Sequence, residues 1–288
     1  MFKRIFLNAI ALLKVFIRSD LFPADPKRLK SPVWDEFIVV GNGPSLKETL
    51  EEHWDRFQKC SVACTNDFVM SEYFGVIKPD FYFFFDPVYW NKNVMEHIRH
   101  LIEGDLKAFK EKVAWPITIV MPAHAKQWNW FQTLSGANKY VRLYYVNSIS
   151  IGRDCSPGLK NFLYSRNLAM PRAQTVLLGM AFQAINMGYK NIFLVGADHS
   201  WHENIFLGED NVLYTRSAHF YAEDKSALRP FFSDAEGAKV FKTHELFQAL
   251  YLIFEGHHEI AAYADFAGAK VYNASRKTYI DAYERRSL

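Results

Sequence analysis

An apolar run, Glu36-Phe-Ile-Val-Val-Gly41, breaks off into Gly41-Asn42-Gly43-Pro44-Ser45-Leu46-Lys47-Glu48. A strand entering a glycine-rich turn and then a helix brings backbone close to a ligand, and free N–H groups at the helix start can hold phosphate. Ser45 and Glu48 have capping-box spacing, which puts the helix start at Ser45. The turn is neither a Walker loop nor a G-x-G-x-x-G fingerprint, and a tight structural turn is the plainer reading of two glycines alone. Three further apolar runs end in polar residues: Thr65-Asn66-Asp67, Asp86-Pro87, and Gly196-Ala197-Asp198-His199-Ser200-Trp201-His202-Glu203. An Asn or Asp at such an end can read a base or a ribose, or simply cap a turn. His199, His202 and Glu203 fit no zinc-helix pattern. Asp67, Asp86 and Asp198 can hold Mg²⁺ against a diphosphate. His244, His257 and His258 supply candidate general bases, or surface histidines on an amphipathic helix pair.

These residues need a frame. Strands are expected at 36–41, 61–64, 80–86, 117–121, 141–146, 191–196 and 269–272. Helices are expected at 46–58, 91–112, 175–187, 239–254, 257–266 and 277–286. Continuous apolar strands alternating with helices predict an α/β, Rossmann-like, doubly wound and mostly parallel sheet. In such a sheet ligands bind outside the carboxyl ends of the strands, so the four polar clusters are expected on one rim. Residues 207–234 break the pattern, polar and aromatic with no clear period, and read as a lid-like insertion. The division expected is 1–32, an N-terminal amphipathic helix and linker, and 33–288, a Rossmann-like nucleotide-binding domain.

The chain has 288 residues, half of them apolar, enough to bury a full core. Its 34 basic and 31 acidic side chains are too balanced to argue for nucleic acid. Cys60, Cys64 and Cys155 cannot make a disulfide framework and suit buried thiols in a reducing compartment. The first twenty residues, MFKRIFLNAIALLKVFIRSD, interrupt their apolar positions with Lys3, Arg4, Lys14 and Arg18. No run reaches the ~20 residues of a spanning helix. Residues 1–18 read as a helix lying on an anionic membrane face or packing on protein, which places the chain in the cytoplasm, peripheral on the inner face of the membrane. No oligomeric state can be read from the sequence.

The islands together resemble a known superfamily. Gly41-Asn-Gly-Pro-Ser-Leu-Lys-Glu48, Thr65-Asn66-Asp67-Phe68, Phe85-Asp86-Pro87, Thr175 and Gly188-Tyr-Lys-Asn-Ile-Phe-Leu-Val-Gly196-Ala-Asp198 follow the order seen in bacterial sialyltransferases that act on lipooligosaccharide. The chain is also similar to the MptE-like domain of 6-hydroxymethylpterin pyrophosphokinases and flagellin-modifying motility accessory factors, through GPSL, Pro79-Asp80 with Asp86, and the Gly-x-Asp strand end. The resemblance implies a transferase that moves a CMP-activated, sialic-acid-like sugar to a glycan or lipid-linked acceptor without metal or other cofactor. Gly41, Asn42, Gly43 and Ser45 would line the donor phosphate or ribose. Asn66 and Asp86 would contact the nucleotide, joined on the rim by Asp67, Asp198 and His199, and Thr175 would hold the sugar side. The base would be His244, His257 or His258. The sialyltransferases carry tyrosines after Gly-x-Asp, where this chain has His199 and Trp201; Tyr214 or Tyr221 are the available substitutes. The MptE-like reading implies instead a Mg²⁺-dependent pyrophosphokinase using ATP, and a non-catalytic nucleotide- or glycan-binding protein is the third reading.

Overall fold

The structure is a computed structural model that describes residues 2–152, 154–216 and 228–288. Its centre is an eight-stranded sheet. The strands are β1 (Glu36–Val40), β2 (Ser61–Thr65), β3 (Phe81–Phe83), β4 (Ile117–Pro122), β5 (Val141–Val146), β6 (Asn191–Val195), then β10 (Lys270–Asn273) and β11 (Glu284–Arg285). The order across the sheet is β11-β10-β6-β1-β2-β3-β4-β5, and every pairing is parallel. From β1 the chain winds outward to β5, then returns to place β6 on the other side of β1. The β1/β6 seam is therefore the topological switch point, where open α/β sheets bind ligands.

Both sheet faces are covered. Alternate residues of one strand serve opposite cores, as period-two geometry requires. Phe37 and Val39 join one core while Ile38 and Val40 join the other. The first face carries α1 (Phe2–Arg18), α7 (Pro157–Ser165), α8 (Val176–Met187) and α9 (Thr243–Ala267). The second carries α2 (Leu46–Glu52), α3 (Trp54–Phe57), α4 (Phe74–Ile77), α5 (Glu96–Lys112) and α6 (Asn129–Ala137). Helix α8 is buried on every side from Leu177 to Met187, which explains its apolar run without helical period. All three cysteines are free thiols in the interior.

Several local expectations are corrected. The helix expected at 46–58 breaks at His53, whose φ −124°, ψ 27° is not helical. The strand expected at 80–86 pairs only over Phe81–Phe83; Asp86 then caps a 3₁₀ turn at Pro87–Trp90 by accepting from the Val88 N–H. Residues 239–254 and 257–266 are not two helices. Helix α9 runs unbroken through Gly256, because that glycine is a contact surface: a Cβ there would come within 2.6 Å of Leu178. The segment 277–286 is not helical either. It crosses the sheet rim, donating from the Tyr279 N–H to the Asp198 carbonyl (3.0 Å) and from Thr278 Oγ1 to the Ala197 carbonyl (2.9 Å).

The insertion supplies a second, antiparallel sheet: β7 (Ile205–Leu207), β8 (Leu213–Arg216) and β9 (Leu228–Pro230). It packs through Leu213, Ile205 and Phe231 onto Leu246, Leu250 and Ile253 of α9. Residues 217–227, with Tyr221 among them, lie outside the described residues.

Candidate functional site

The four polar strand ends meet on one rim. A cleft of about 500 Å³ opens there, lined by Gly41, Asn42 and Gly43 after β1, Thr65 and Asn66 after β2, Phe85 and Asp86 after β3, and Gly196, Asp198 and His199 after β6. Ala173–Leu177 close one side at the start of α8, and the small sheet closes another with Thr215, Arg216, Arg229 and Phe231.

The glycine-rich turn is built differently from a phosphate loop. The Gly41 N–H donates to the Val195 carbonyl (2.8 Å), the Gly43 N–H to the Gly196 carbonyl (2.8 Å), and the Leu46 N–H to the Gly43 carbonyl (3.1 Å). Asp198 holds Ser45: it accepts from the Ser45 N–H (3.0 Å) and from Ser45 Oγ (2.6 Å). The protein's own carboxylate thus occupies the anion position that the sequence offered to a phosphate. Ser45 is committed to that bond and does not cap α2 with its side chain, so the capping box expected with Glu48 is absent. The glycines are required by the seam itself. A Cβ at Gly43 would sit 2.5 Å from both Asp198 Oδ1 and the Gly196 carbonyl oxygen. Gly196, at φ +59°, leaves 2.4 Å between such a Cβ and the Gly41 carbonyl. Burial pushes the Asp198 pKa up, while the two Ser45 bonds and the Lys277 ammonium pull it down.

The opposite wall reads hydrogen bonds. Asn42 Nδ2 donates to the Thr65 carbonyl (3.2 Å), tying the β1 end to the β2 end, and its buried Oδ1 has no partner among the described residues. Asn66 sits in the left-handed region at φ 53°, which Asn tolerates better than other side chains. Asp86 is held by the Val88 N–H (3.0 Å); burial pushes its pKa up, and the charge of nearby Asp67 adds to this. Asp67 and Ser45 do not line the cleft. With Asp198 given to Ser45, the carboxylate trio suggested for Mg²⁺ is not assembled. Among the described residues no group of three or more His, Cys, Asp or Glu is arranged to hold a metal ion.

Positive potential comes from elsewhere. Thr175 caps α8, accepting from the Leu177 N–H (3.3 Å), so the N-terminal end of a twelve-residue helix faces the cleft. Arg216 and Arg229 arrive on β8 and β9. Sequence reasoning missed both arginines, together with Gln174 and Asn204. The signal was the turn-rich Gly208-Glu-Asp-Asn211 followed by Val212-Leu-Tyr-Thr-Arg216, a short strand with its cation at the exit. Tyr214, a suggested substitute for the tyrosines of the resemblance, donates to Asp210 within its own hairpin (2.9 Å) and is not part of the cleft wall.

The histidines separate cleanly. His244 is exposed near the start of α9, and His258 is exposed beside Asp281 (3.3 Å); neither reaches the cleft. His257 is fully buried one layer behind the wall. Its Nε2 lies 2.9 Å from His199 Nε2, and its Nδ1 lies 2.9 Å from the Tyr283 hydroxyl. His199 itself lines the cleft, at φ 51°, with its ring against Trp201. Burial lowers the pKa of His199 to about 3 and that of His257 well below its ordinary value, so both rings are neutral at pH 7. Each of the two bonds in this line holds one proton: when His199 donates from Nε2–H to His257 Nε2, His257 donates from Nδ1–H to the Tyr283 oxygen, and His199 Nδ1 is left as an acceptor. The eight-residue Gly196–Glu203 cluster thus splits: Asp198 anchors, His199 faces the cleft, and Glu203 bonds Lys277 and Tyr279 outside it.

No protein-family model matches the chain. No curated protein matches it either. Among solved structures, its fold is similar to that of the MAf glycosyltransferase from Magnetospirillum magneticum AMB-1, with a TM-score of 0.50 and 13% sequence identity. The match covers 94% of this chain and 35% of that one, so the chain spans about a third of the length of that protein, and what the two share is the wound parallel sheet with its flanking helices.

Proposed function

We propose that the chain is a glycosyltransferase that takes its sugar from a CMP-linked acidic donor and passes it to a hydroxyl of a glycan acceptor. The observation that carries this reading is the pairing of two unlike walls in one switch-point cleft. Asn42, Asn66 and Asp86 offer directional hydrogen bonds for a ribose and base, while Arg216, Arg229 and the α8 N-terminus offer positive potential. A donor with one phosphate and one sugar carboxylate needs both. The fold similarity to a MAf glycosyltransferase is consistent with it.

In the reaction, the bond between the anomeric carbon and the phosphate oxygen breaks, and the electron pair leaves with CMP. Arg216 and Arg229 stabilise the charge that grows on the departing phosphate. The acceptor oxygen bonds the anomeric carbon, and its proton passes to His199 Nδ1. Such general-base help is worth ~10²–10⁴-fold. A pKa near 3 makes His199 a weak base in the empty cleft. A bound anion raises it, because a nearby negative charge favours the imidazolium. His257 and Tyr283 then share the incoming charge through the bonds already in place.

The test is a thermal-shift and calorimetry panel of CMP, CDP, UDP, GDP and ATP, each with and without Mg²⁺. A ligand that binds only the folded form raises the melting point by mass action. CMP should bind, and EDTA should make no difference. Binding of ATP alone, and only with Mg²⁺, would point to diphosphate transfer instead; binding of CMP without turnover of any donor would leave a nucleotide-binding protein.

A further inference from the structure

Helix α1 is attached to the body by its polar stripe. Asn8 exchanges bonds with Ser156 (3.0 and 2.9 Å), Lys14 Nζ donates to the Ser150 carbonyl (2.6 Å), and just past the helix Ser19 Oγ donates to the Leu168 carbonyl (2.7 Å). Only Ala11 and Val15 are buried. At 100° per residue, Phe2, Ile5, Phe6, Ala9, Ile10, Leu12, Leu13, Phe16 and Ile17 fill the opposite arc, about 160° wide, with no polar residue among them. The helix thus turns its apolar face to the outside, the reverse of a helix that only serves its own core. Eight of these side chains are large and between 46% and 83% exposed. Single exposed apolar side chains are ordinary, whereas a contiguous apolar face of this kind marks a contact with protein or membrane.

We infer that this face docks α1 flat on an anionic lipid bilayer. Lys3 borders the apolar arc, Arg4 and Arg18 are exposed in the first and last turns of the helix, and the exposed Lys27 and Arg28 follow. No acid occurs between residues 2 and 19. A second copy of the chain would bring these cations together with no acid on the helix to meet them, whereas anionic headgroups complement them. At ~1.5 Å per residue the seventeen-residue helix is about 25 Å long, and it is tied along its side. No helix among the described residues is long and apolar enough to cross a membrane. The attachment also has a direction. Ser19 and Asp20 sit against Leu168 and Asn147, and Asn147 directly follows β5 at its carboxyl end, the rim on which the cleft opens. Docking through α1 would turn the sheet face that carries it toward the lipid, with the cleft rim at the C-terminal end of the helix. This inference does not depend on which nucleotide or sugar the cleft takes.

The experiment is co-sedimentation of the full chain with vesicles of phosphatidylcholine, with and without phosphatidylglycerol, at low and high salt. The chain should partition onto the phosphatidylglycerol vesicles and be partly released by salt. The double variant Leu13→Glu, Phe16→Glu should lose that partition by roughly ten-fold or more, with an unchanged melting point because both side chains are exposed. Lys3→Gln with Arg4→Gln should weaken binding to the anionic vesicles and leave that to pure phosphatidylcholine unaltered. Failure of the wild type to bind either vesicle overturns the inference. So does a double variant that binds as well as wild type, or a wild-type dimer in sedimentation velocity that the double variant dissolves while vesicles are ignored.

Discussion

Asp198 distinguishes an anchor from a ligand contact. Its carboxylate is 2% exposed and accepts two hydrogen bonds from Ser45. Asp198→Ala removes both acceptors and leaves a buried N–H and a buried hydroxyl unsatisfied. At ~1–3 kcal/mol for each of the two orphaned groups the cost is about 2–6 kcal/mol, which at about 2.1 cal/mol/K per residue over 288 residues lowers the melting point by roughly 3–10 °C. Asp198→Asn is different. Its single oxygen can accept from the Ser45 N–H, and its amide can donate to Ser45 Oγ, whose own hydrogen rotates away. Burial already penalises the charged form, so the neutral amide should cost only about 1 kcal/mol. The expectation is that the Asn variant keeps nucleotide affinity within a few-fold, and that the Ala variant loses stability and affinity together because the Gly41–Ser45 turn is released. Denaturant melts with calorimetric titration of both variants decide this. An Asn variant with wild-type stability but nucleotide affinity reduced a hundred-fold would refute the reasoning and make Asp198 a direct ligand contact.

Three further outcomes are expected. Asp105, fully buried and bonded to the Tyr89 hydroxyl (2.9 Å), has its pKa pushed up to about 8, by burial first and by Asp67 second. A raised carboxyl pKa favours the fold at low pH and loses that benefit as pH climbs from ~4 to 8, so Asp105→Asn should gain on wild type across this window, by about 4 kcal/mol at pH 7 in denaturant melts; a constant difference from pH 4 to 8 would contradict it. The His199 pKa is depressed to about 3, so below pH ~6.5 the unfolded chain binds a proton that the native ring refuses, and stability falls as pH drops through this window, by about 2 kcal/mol at pH 5. Because His257 adds to this slope and the raised carboxyls of Asp80, Asp86 and Asp198 oppose it, the measurement is the stability difference between wild type and His199→Gln in denaturant melts, and a difference that stays flat between pH 5 and 7 would contradict it. Arg216→Gln and Arg229→Gln should each weaken nucleotide binding by ~10-fold or more by calorimetry and leave nucleoside binding unchanged; equal losses for both ligands would remove the arginines from the phosphate.

Much of this was legible in the residue order. Continuous apolar strands such as Phe37–Val40 and Ile192–Val195 cannot be solvated on either face, so they specify a covered parallel sheet. The rule that polar strand ends share one rim then collects Asn42, Asn66, Asp86 and Asp198 before any coordinates are known. Local signals failed where packing overrode them. Gly256 reads as a helix break, yet it is the flat spot that lets α9 close on Leu178. Ser45 reads as a helix cap, yet Asp198, 153 residues away, takes its hydroxyl.

The sequence by itself determined the wound sheet, the cluster of rim residues and the amphipathic character of the first helix, because each follows from periodicity and local chemistry. Only the tertiary structure decided that the turn's anion is the protein's own carboxylate, that positive charge enters from the inserted sheet, that His257 stands behind His199, and that α1 turns its apolar side outward. Each of these is a choice between partners far apart in the chain, fixed by which buried groups must satisfy one another once the strands have aligned.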